Sequence, residues 1–323
     1  MGDEHTASRG HSSTSATRAL VTGGAGFIGR RLVQDLVVRG WEVWVLDDFS
    51  AGRREDLAAI ADGTACHVVQ ADVATAAAVS SSVLAVRPAV VFHLAAIHFI
   101  PQCERDPIKT LETNVIGTQA VLNAVEAQPG CRMVFASTGD VYAPSTEPHH
   151  ERSAVAPVSL YGLSKWTSER LVQRAGDRGV DYRIARLFNV FGPGDRVPHV
   201  LPDIVNNVSR AGVLALGRLD AVRDYVYVDD VVQALIALAG HDGQDRIFNI
   251  GTGEGRSVRD LVDSVEIACG FPLSVRIDPA KVRPIERPVL LSDPRLARTV
   301  LGWAPRTPFQ DGIRRVQIGR AHV

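Results

Sequence analysis

The 323-residue chain is short of several things, and each shortage excludes a class of protein. No stretch approaches the ~20 consecutive apolar residues that a membrane-spanning helix requires, so no bilayer span is expected. There are only four cysteines, Cys66, Cys103, Cys131 and Cys269, far apart and without a CxxC or Cys/His spacing. That excludes a disulfide framework and a metal site. It fits a reduced, cytoplasmic setting in which each thiol is a small buried apolar group. Excess charge is also missing: a formal net charge of −1 offers nothing for nucleic acid or an anionic membrane to bind. Residues 1–17 lack the apolar core of a signal peptide. Their Ser, Thr and His content predicts a disordered tail, with His5 and His11 not metal ligands.

Glycine is what the chain has in the right place. Arg18 to Arg31 reads RALVTGGAGFIGRR, in which Ala19, Leu20 and Val21 form an apolar strand before glycines at 23, 24, 26 and 29. Gly24, Gly26 and Gly29 satisfy GxGxxG, and Gly23, Gly26 and Gly29 the related GxxGxxG. Ile28, Leu32, Val33, Leu36 and Val37 then recur at helical period. Strand, tight turn and helix start present backbone N–H groups to a pyrophosphate, so a dinucleotide is expected here. A second strand, Trp41–Leu46, ends in Asp47-Asp48, about 20 residues beyond the glycine turn, where a carboxylate accepts from ribose hydroxyls and repels a 2′-phosphate. This favours NAD over NADP, against the nearby Arg53 and Arg54.

Strands at Cys66–Gln70, Pro88–His93 and Arg132–Ala136 alternate with helical patterns at Ala74–Val86 and Asp106–Glu126. The alternation predicts an α/β fold, a doubly wound parallel sheet with right-handed crossovers. Ser137-Thr138 follows the fifth strand, at the carboxyl edge where such sheets hold ligands. Tyr161 and Lys165 stand four apart on a helix expected to run to about Arg174, so they share a face. A lysine ammonium beside a phenol, with the positive ring of NAD⁺, is expected to lower the phenol's pKa. The phenolate then takes a proton from a substrate hydroxyl while hydride leaves the carbon, and Thr138 can bond the same oxygen.

With these residues the chain resembles the extended short-chain dehydrogenases/reductases, specifically their nucleotide-sugar epimerase/dehydratase group. The resemblance spans about residues 18–315. It rests on TGGAGFIG, VLDDFSAG, HLAA, NVIGT, STGDVY, YGLSK, RLFNVFGPG, RDYVYVDDV, FNIGTG and LGWAP, in the family's order. It implies a Rossmann domain over 18–186, with returning segments near 224–251, and a smaller, interleaved α/β substrate domain over 187–316. NAD would be lined by Gly23, Gly26, Phe27, Ile28, Gly29, Asp47, Asp48, Phe49, Ser50 and Gly52. Asp72, Val73, Leu94, Ala95, Ala96, Thr113 and Phe188 would complete that lining beside Tyr161 and Lys165. Catalysis would fall to Thr138, Tyr161 and Lys165. Asn189, Arg223 and Arg283 would hold the substrate's diphosphate and nucleoside, because a diphosphate needs charge-assisted donors. At Arg283 the match is incomplete, since Ile285 stands where the family has glycine.

Residues beside Thr138 select among chemistries. The family's 4,6-dehydratases carry Asp then Glu there; this chain has Gly139, which cannot donate a proton, and Asp140. Asp140 reads either as a supporting acid/base or as a turn-former. His98, after HLAA, reads either as a sugar or phosphate contact or as a packed histidine. His149 and His150 are expected in a solvated loop. The leading expectation is an NAD-dependent nucleoside-diphosphate-sugar epimerase acting through a 4-keto sugar. A decarboxylase, reductase or dehydratase on the same scaffold, or a non-catalytic NAD-binding regulator, are the alternatives. The resemblance also implies a homodimer built on the helices from Asp106 and Tyr161. Beyond Arg315 the pattern stops. IGRAHV is the translation of the sequencing-adapter string ATCGGAAGAGCACACGTC, so residues 317–323 are expected to be a non-native tail.

Overall fold

The computed structural model describes residues 16–61, 63–208, 212–282 and 287–320, so Arg283 and residues 1–15 lie outside it. Its first strands are β1 (Arg18–Thr22), β2 (Glu42–Asp47), β3 (Cys66–Gln70), β4 (Val90–His93), β5 (Arg132–Thr138) and β6 (Asp181–Leu187). There follow β7 (Asn189–Phe191), β8 (Val213–Leu216), β9 (Val222–Tyr227) and β10 (Ile247–Ile250). The last are β11 (Gly255–Ser257), β12 (Ser274–Ile277) and β13 (Val289–Leu290).

Seven strands form one parallel sheet in the order β10-β6-β5-β4-β1-β2-β3. Strands such as VVFH in β4 are buried along their whole length, as a sheet covered on both faces requires. One face packs under the helices Phe27–Val38 and Val228–Ala239, through Leu32, Leu36, Val231 and Leu235. The other packs under Ala76–Val86, Gly117–Glu126 and Leu160–Gly176, through Val79, Val83, Val121 and Val172. The chain runs from β1 to β2 and β3 on one side and then crosses to β4 on the other side of β1, which opens a crevice at the carboxyl ends of the strands.

The second half of the chain is interleaved. β9 belongs to a smaller sheet with β7, β11 and β13, while the helix Val228–Ala239 and β10 return to the main sheet. Phe191, Leu201, Ile204, Tyr225 and Leu261 form the core of this smaller part. The closing helix Phe309–Arg320 buries Ile313 against it and runs on through residues 317–320.

The helix expected over Asp106–Glu126 is interrupted. Pro107–Leu111 and Gly117–Glu126 flank a π-helical turn at Glu112–Ile116. Such a turn inserts a residue and re-aims a side chain, here the buried Asn114. Its Oδ1 accepts from Ile97 N at 2.8 Å, and its Nδ2 donates to Ile97 O and Ser164 Oγ, each at 2.9 Å. Asn114 thereby ties the chain after β4 to the helix that carries Tyr161.

Candidate active site

The glycine turn is shaped by its GxxGxxG spacing. Gly23 has φ of 70°, and a Cβ there would stand 2.7 Å from Ala95 N. At Gly29 a Cβ would collide with the carbonyl oxygen of Gly23. Gly24 has a different reason, since a Cβ there would stand 2.7 Å from the Val45 side chain. The helix Phe27–Val38 begins at Gly26 with no side-chain cap, so its first-turn N–H groups and the positive end of its dipole serve the crevice. Asp47, at the end of β2, accepts from Ala25 N at 2.9 Å and from Phe49 N at 2.8 Å. Burial raises its pKa and those two N–H bonds oppose the rise. The carboxylate therefore locks the turn as well as rimming the crevice. Asp72, after β3, is paired with Lys109 Nζ at 2.7 Å.

The catalytic candidates meet at the end of β5. Tyr161 lies in the first turn of the helix Leu160–Gly176, which Ser159 caps by accepting from Gly162 N at 3.0 Å. Gly162 lets this turn approach Asp140 O, where a Cβ would stand at 2.6 Å. The Thr138 side chain faces the Tyr161 phenol. Lys165 is buried one turn below, with Nζ donating to Ala136 O at 2.8 Å and standing 4.8 Å over the Phe135 ring. Burial pushes its pKa down to about 7, opposed by the charge of Glu169. Burial, then the charge of Asp140, push the phenol's pKa up, with Thr138 opposing. The lowered phenol expected from Tyr161 and Lys165 is thus not a property of the protein alone, because desolvation and the charge of Asp140 raise it.

Beneath them Glu169 and Arg186 form a buried pair, each 2% exposed or less on the side chain. Nε and Nη2 of Arg186 donate to the two Glu169 oxygens at 2.9 and 2.6 Å. Ser137 Oγ adds a bond of 2.5 Å to Glu169, and the guanidinium lies 4.8 Å over the Tyr142 ring. Burial alone would lower the arginine's pKa; the bonds and charge of Glu169 prevail and raise it.

One cleft of 1460 Å³ connects the glycine turn and the Thr138, Tyr161 and Lys165 cluster with the second half of the chain. It exceeds the usual ~300–1,000 Å³ of a single-ligand pocket and has room for two nucleotides. Every candidate residue lines it except two. Phe49 adopts φ of 61° and packs its ring into the hydrophobic layer under the Arg54 guanidinium. Arg283 lies outside the described residues. Asn189 and Arg223 contribute from β7 and β9. A Cβ on Gly139 would stand 3.0–3.2 Å from the Phe188 ring, so that ring fills the space a side chain would need. Asp140 sits in the 3₁₀ turn Gly139–Val141 with its N–H on Thr138 Oγ1 at 3.2 Å.

The histidines divide. His98 is exposed in the cleft, its ring 5.6 Å from that of His199. His150 is exposed as expected, but His149 is not solvated. It is 3% exposed and stacks on Tyr142 at 4.5 Å, with burial holding its pKa down at about 4. Its main chain explains this: His149 N donates to Leu291 O and Asp293 N to His149 O, which fastens the loop beside β13. Arg287 was not among the candidates, although it lines the cleft and donates to Asp140 O at 2.8 Å. Loop 192–199 crosses between the two parts of the chain. Arg196 grips Asp56 at 2.5 and 2.9 Å, Pro193 O accepts from Arg30 at 3.0 Å, and His199 packs edge-on to Phe99.

A doubly wound sheet, a glycine turn at its switch point and a Thr/Tyr/Lys cluster on the neighbouring strand and helix define an extended short-chain dehydrogenase/reductase. The chain belongs to the NAD dependent epimerase/dehydratase family, whose model matches residues 19–251. It is 34% identical over 306 residues to a UDP-glucose 4-epimerase of Mycolicibacterium smegmatis, covering 92% of this chain and 96% of that protein. The crystal structure of a Thermus thermophilus UDP-glucose 4-epimerase complexed with NAD superposes with a TM-score of 0.85 at 33% identity, over 95% of this chain and 100% of the other. A Thermotoga maritima UDP-glucose 4-epimerase with UDP-glucose gives 0.86 at 28% identity, over 95% and 99%.

Proposed function

We propose that the protein is an NAD-dependent nucleoside-diphosphate-sugar 4-epimerase that works through a transient 4-keto sugar. The observation that carries this reading is the convergence of Thr138, Tyr161 and Lys165 on the same cleft as the glycine turn. The residues fit NAD: Gly23 and Gly29 leave a cradle that a Cβ would fill, the following helix is uncapped, and Asp47 stands at the ribose end. Bound NAD supplies a hydride acceptor that becomes the hydride donor of the return step.

Tyr161 takes the proton of the C4 hydroxyl at its phenol oxygen, and Thr138 holds that oxygen in line. Lys165, fixed on Ala136 O, places a cation under the phenol and favours its ionised form. Gly139 puts no acid between Thr138 and Phe188, so the chain has no group there to drive out water as a dehydratase does. Asn189 and Arg223 hold the diphosphate while the keto sugar turns and receives hydride on its other face. Relatives named UDP-glucose 4-epimerase make UDP-glucose the first substrate to try.

Incubation with a panel of nucleotide sugars, followed by NMR, is expected to show a C4 epimer. Released NADH or a free keto sugar without an epimer refutes the reading. Tyr161→Phe is expected to cut turnover by about 10²–10⁴-fold while NAD stays bound. The exposed apolar side chains Ile108, Leu111, Ile116 and Leu163 support pairing of two chains through these helices, which light scattering tests. The four free thiols suit a reducing, cytoplasmic compartment.

A further inference from the structure

We propose that Arg287 and Asp140 act as one unit that binds the sugar ring of the substrate and selects an uncharged, hydroxylated hexose. The inference rests on the nucleotide-sugar reading above and goes beyond it to the sugar.

Arg287 precedes β13 in a segment pinned by Val222 N, which donates to Pro288 O at 2.8 Å. The side chain is 5% exposed. Its Nη2 donates to the main-chain oxygen of Asp140, and its Nε stands 3.9 Å from Asp140 Oδ1. Neither Nε nor Nη1 has a hydrogen-bond partner among the described residues. Burial lowers the arginine's pKa, Asp140 opposes that, and the charge of Arg223 adds to it. A buried guanidinium with spare donors is costly for a fold to keep, and a ligand oxygen relieves that cost.

The position points to the sugar rather than the diphosphate. Asp140 follows Thr138 by two residues, and its charge acts on the Tyr161 phenol, so the pair stands at the reacting end of the cleft. The charge assigned to the diphosphate is Arg223, on β9. A carboxylate acceptor beside a guanidinium donor complements neighbouring sugar hydroxyls, one donating to Asp140 and one accepting from Arg287. The two charges offset each other, which leaves no net attraction for a sugar carboxylate, and Asp140 repels one directly.

Calorimetric titration of the NAD-loaded protein with UDP, UDP-glucose and UDP-glucuronate tests this. The wild type is expected to bind UDP-glucose more tightly than either of the others. Arg287→Leu and Asp140→Asn should each lose about 10- to 100-fold of the UDP-glucose affinity, as expected for a bond to a charged group, and leave UDP within about twofold. The double variant should lose little more than the worse single one, the sign of a coupled pair. Arg287→Lys should recover part of the loss, and Asp140→Asn should narrow the discrimination against UDP-glucuronate. Equal weakening of UDP and UDP-glucose by Arg287→Leu would make Arg287 a phosphate residue and overturn the proposal. Tightest wild-type binding of UDP-glucuronate overturns it as well. A wild type that binds none of the three refutes the nucleotide-sugar reading and this inference with it.

Discussion

Glu169→Gln keeps the shape of a side chain buried below the reacting residues and removes its charge. Arg186 would then be left in the core with its guanidinium still on the Glu151 carbonyl at 3.0 Å and over Tyr142, but without the carboxylate it is hydrogen-bonded to. Breaking a buried ion pair from one side costs about 3–5 kcal/mol, because the orphaned charge has lost water and partner together. Ser137 Oγ also loses its ionised acceptor, which adds to the upper end of that range. At roughly 2–4 °C per kcal/mol for chains of this order of size, the melting temperature should fall by about 10 °C. Urea unfolding of the NAD-saturated protein, followed by circular dichroism, measures the free energy directly. Replacing both partners, Glu169→Leu with Arg186→Met, should cost less than either single change, since no lone charge remains. A loss below about 1 kcal/mol for Glu169→Gln would refute the reasoning, as would a double variant whose cost is the sum of its parts.

Other outcomes follow from the site. Gly29→Ala drives a Cβ into the Gly23 carbonyl oxygen and should abolish cofactor retention, read as loss of the dinucleotide from the protein by mass spectrometry after gel filtration. His93 is clamped between Thr22 Oγ1 at 2.6 Å and Thr118 Oγ1 at 3.0 Å, and burial holds its pKa at about 3, below the ordinary 6.5. A lowered folded pKa means that the unfolded chain binds the proton first. The stability is therefore whole above pH 6.5 and is lost as pH falls towards 3, by about 2 kcal/mol at pH 5. His93→Asn should flatten that slope in urea titrations across this range; an unchanged slope rejects the assignment.

Most of the sheet was legible because its strands are short apolar runs closed by Asp, Thr or His at one edge, and the glycine spacing fixes where the first of them turns. The break at Asn114 was hidden, since a π turn leaves the apolar pattern of the helix almost unchanged. At Phe49 the positive φ and the packing of the ring under Arg54 leave no mark in the sequence, which shows only the run Asp47 to Ser50. His149 was misplaced because a polar loop sequence conceals main-chain bonds to Leu291 and Asp293 far along the chain. Arg287 gave no local signal, for its partner Asp140 lies in the other half of the sequence.

Loop 192–199 is fastened beside the glycine helix and Asp56 at one end and against Phe99 at the other. Both fastenings border the cleft into which the glycine turn and Asp47 open. A hydride acceptor that would be restored by the sugar within each cycle would have no need to leave such a cleft. An enzyme built this way answers to the concentrations of its two sugar epimers and stands apart from the redox balance of its surroundings.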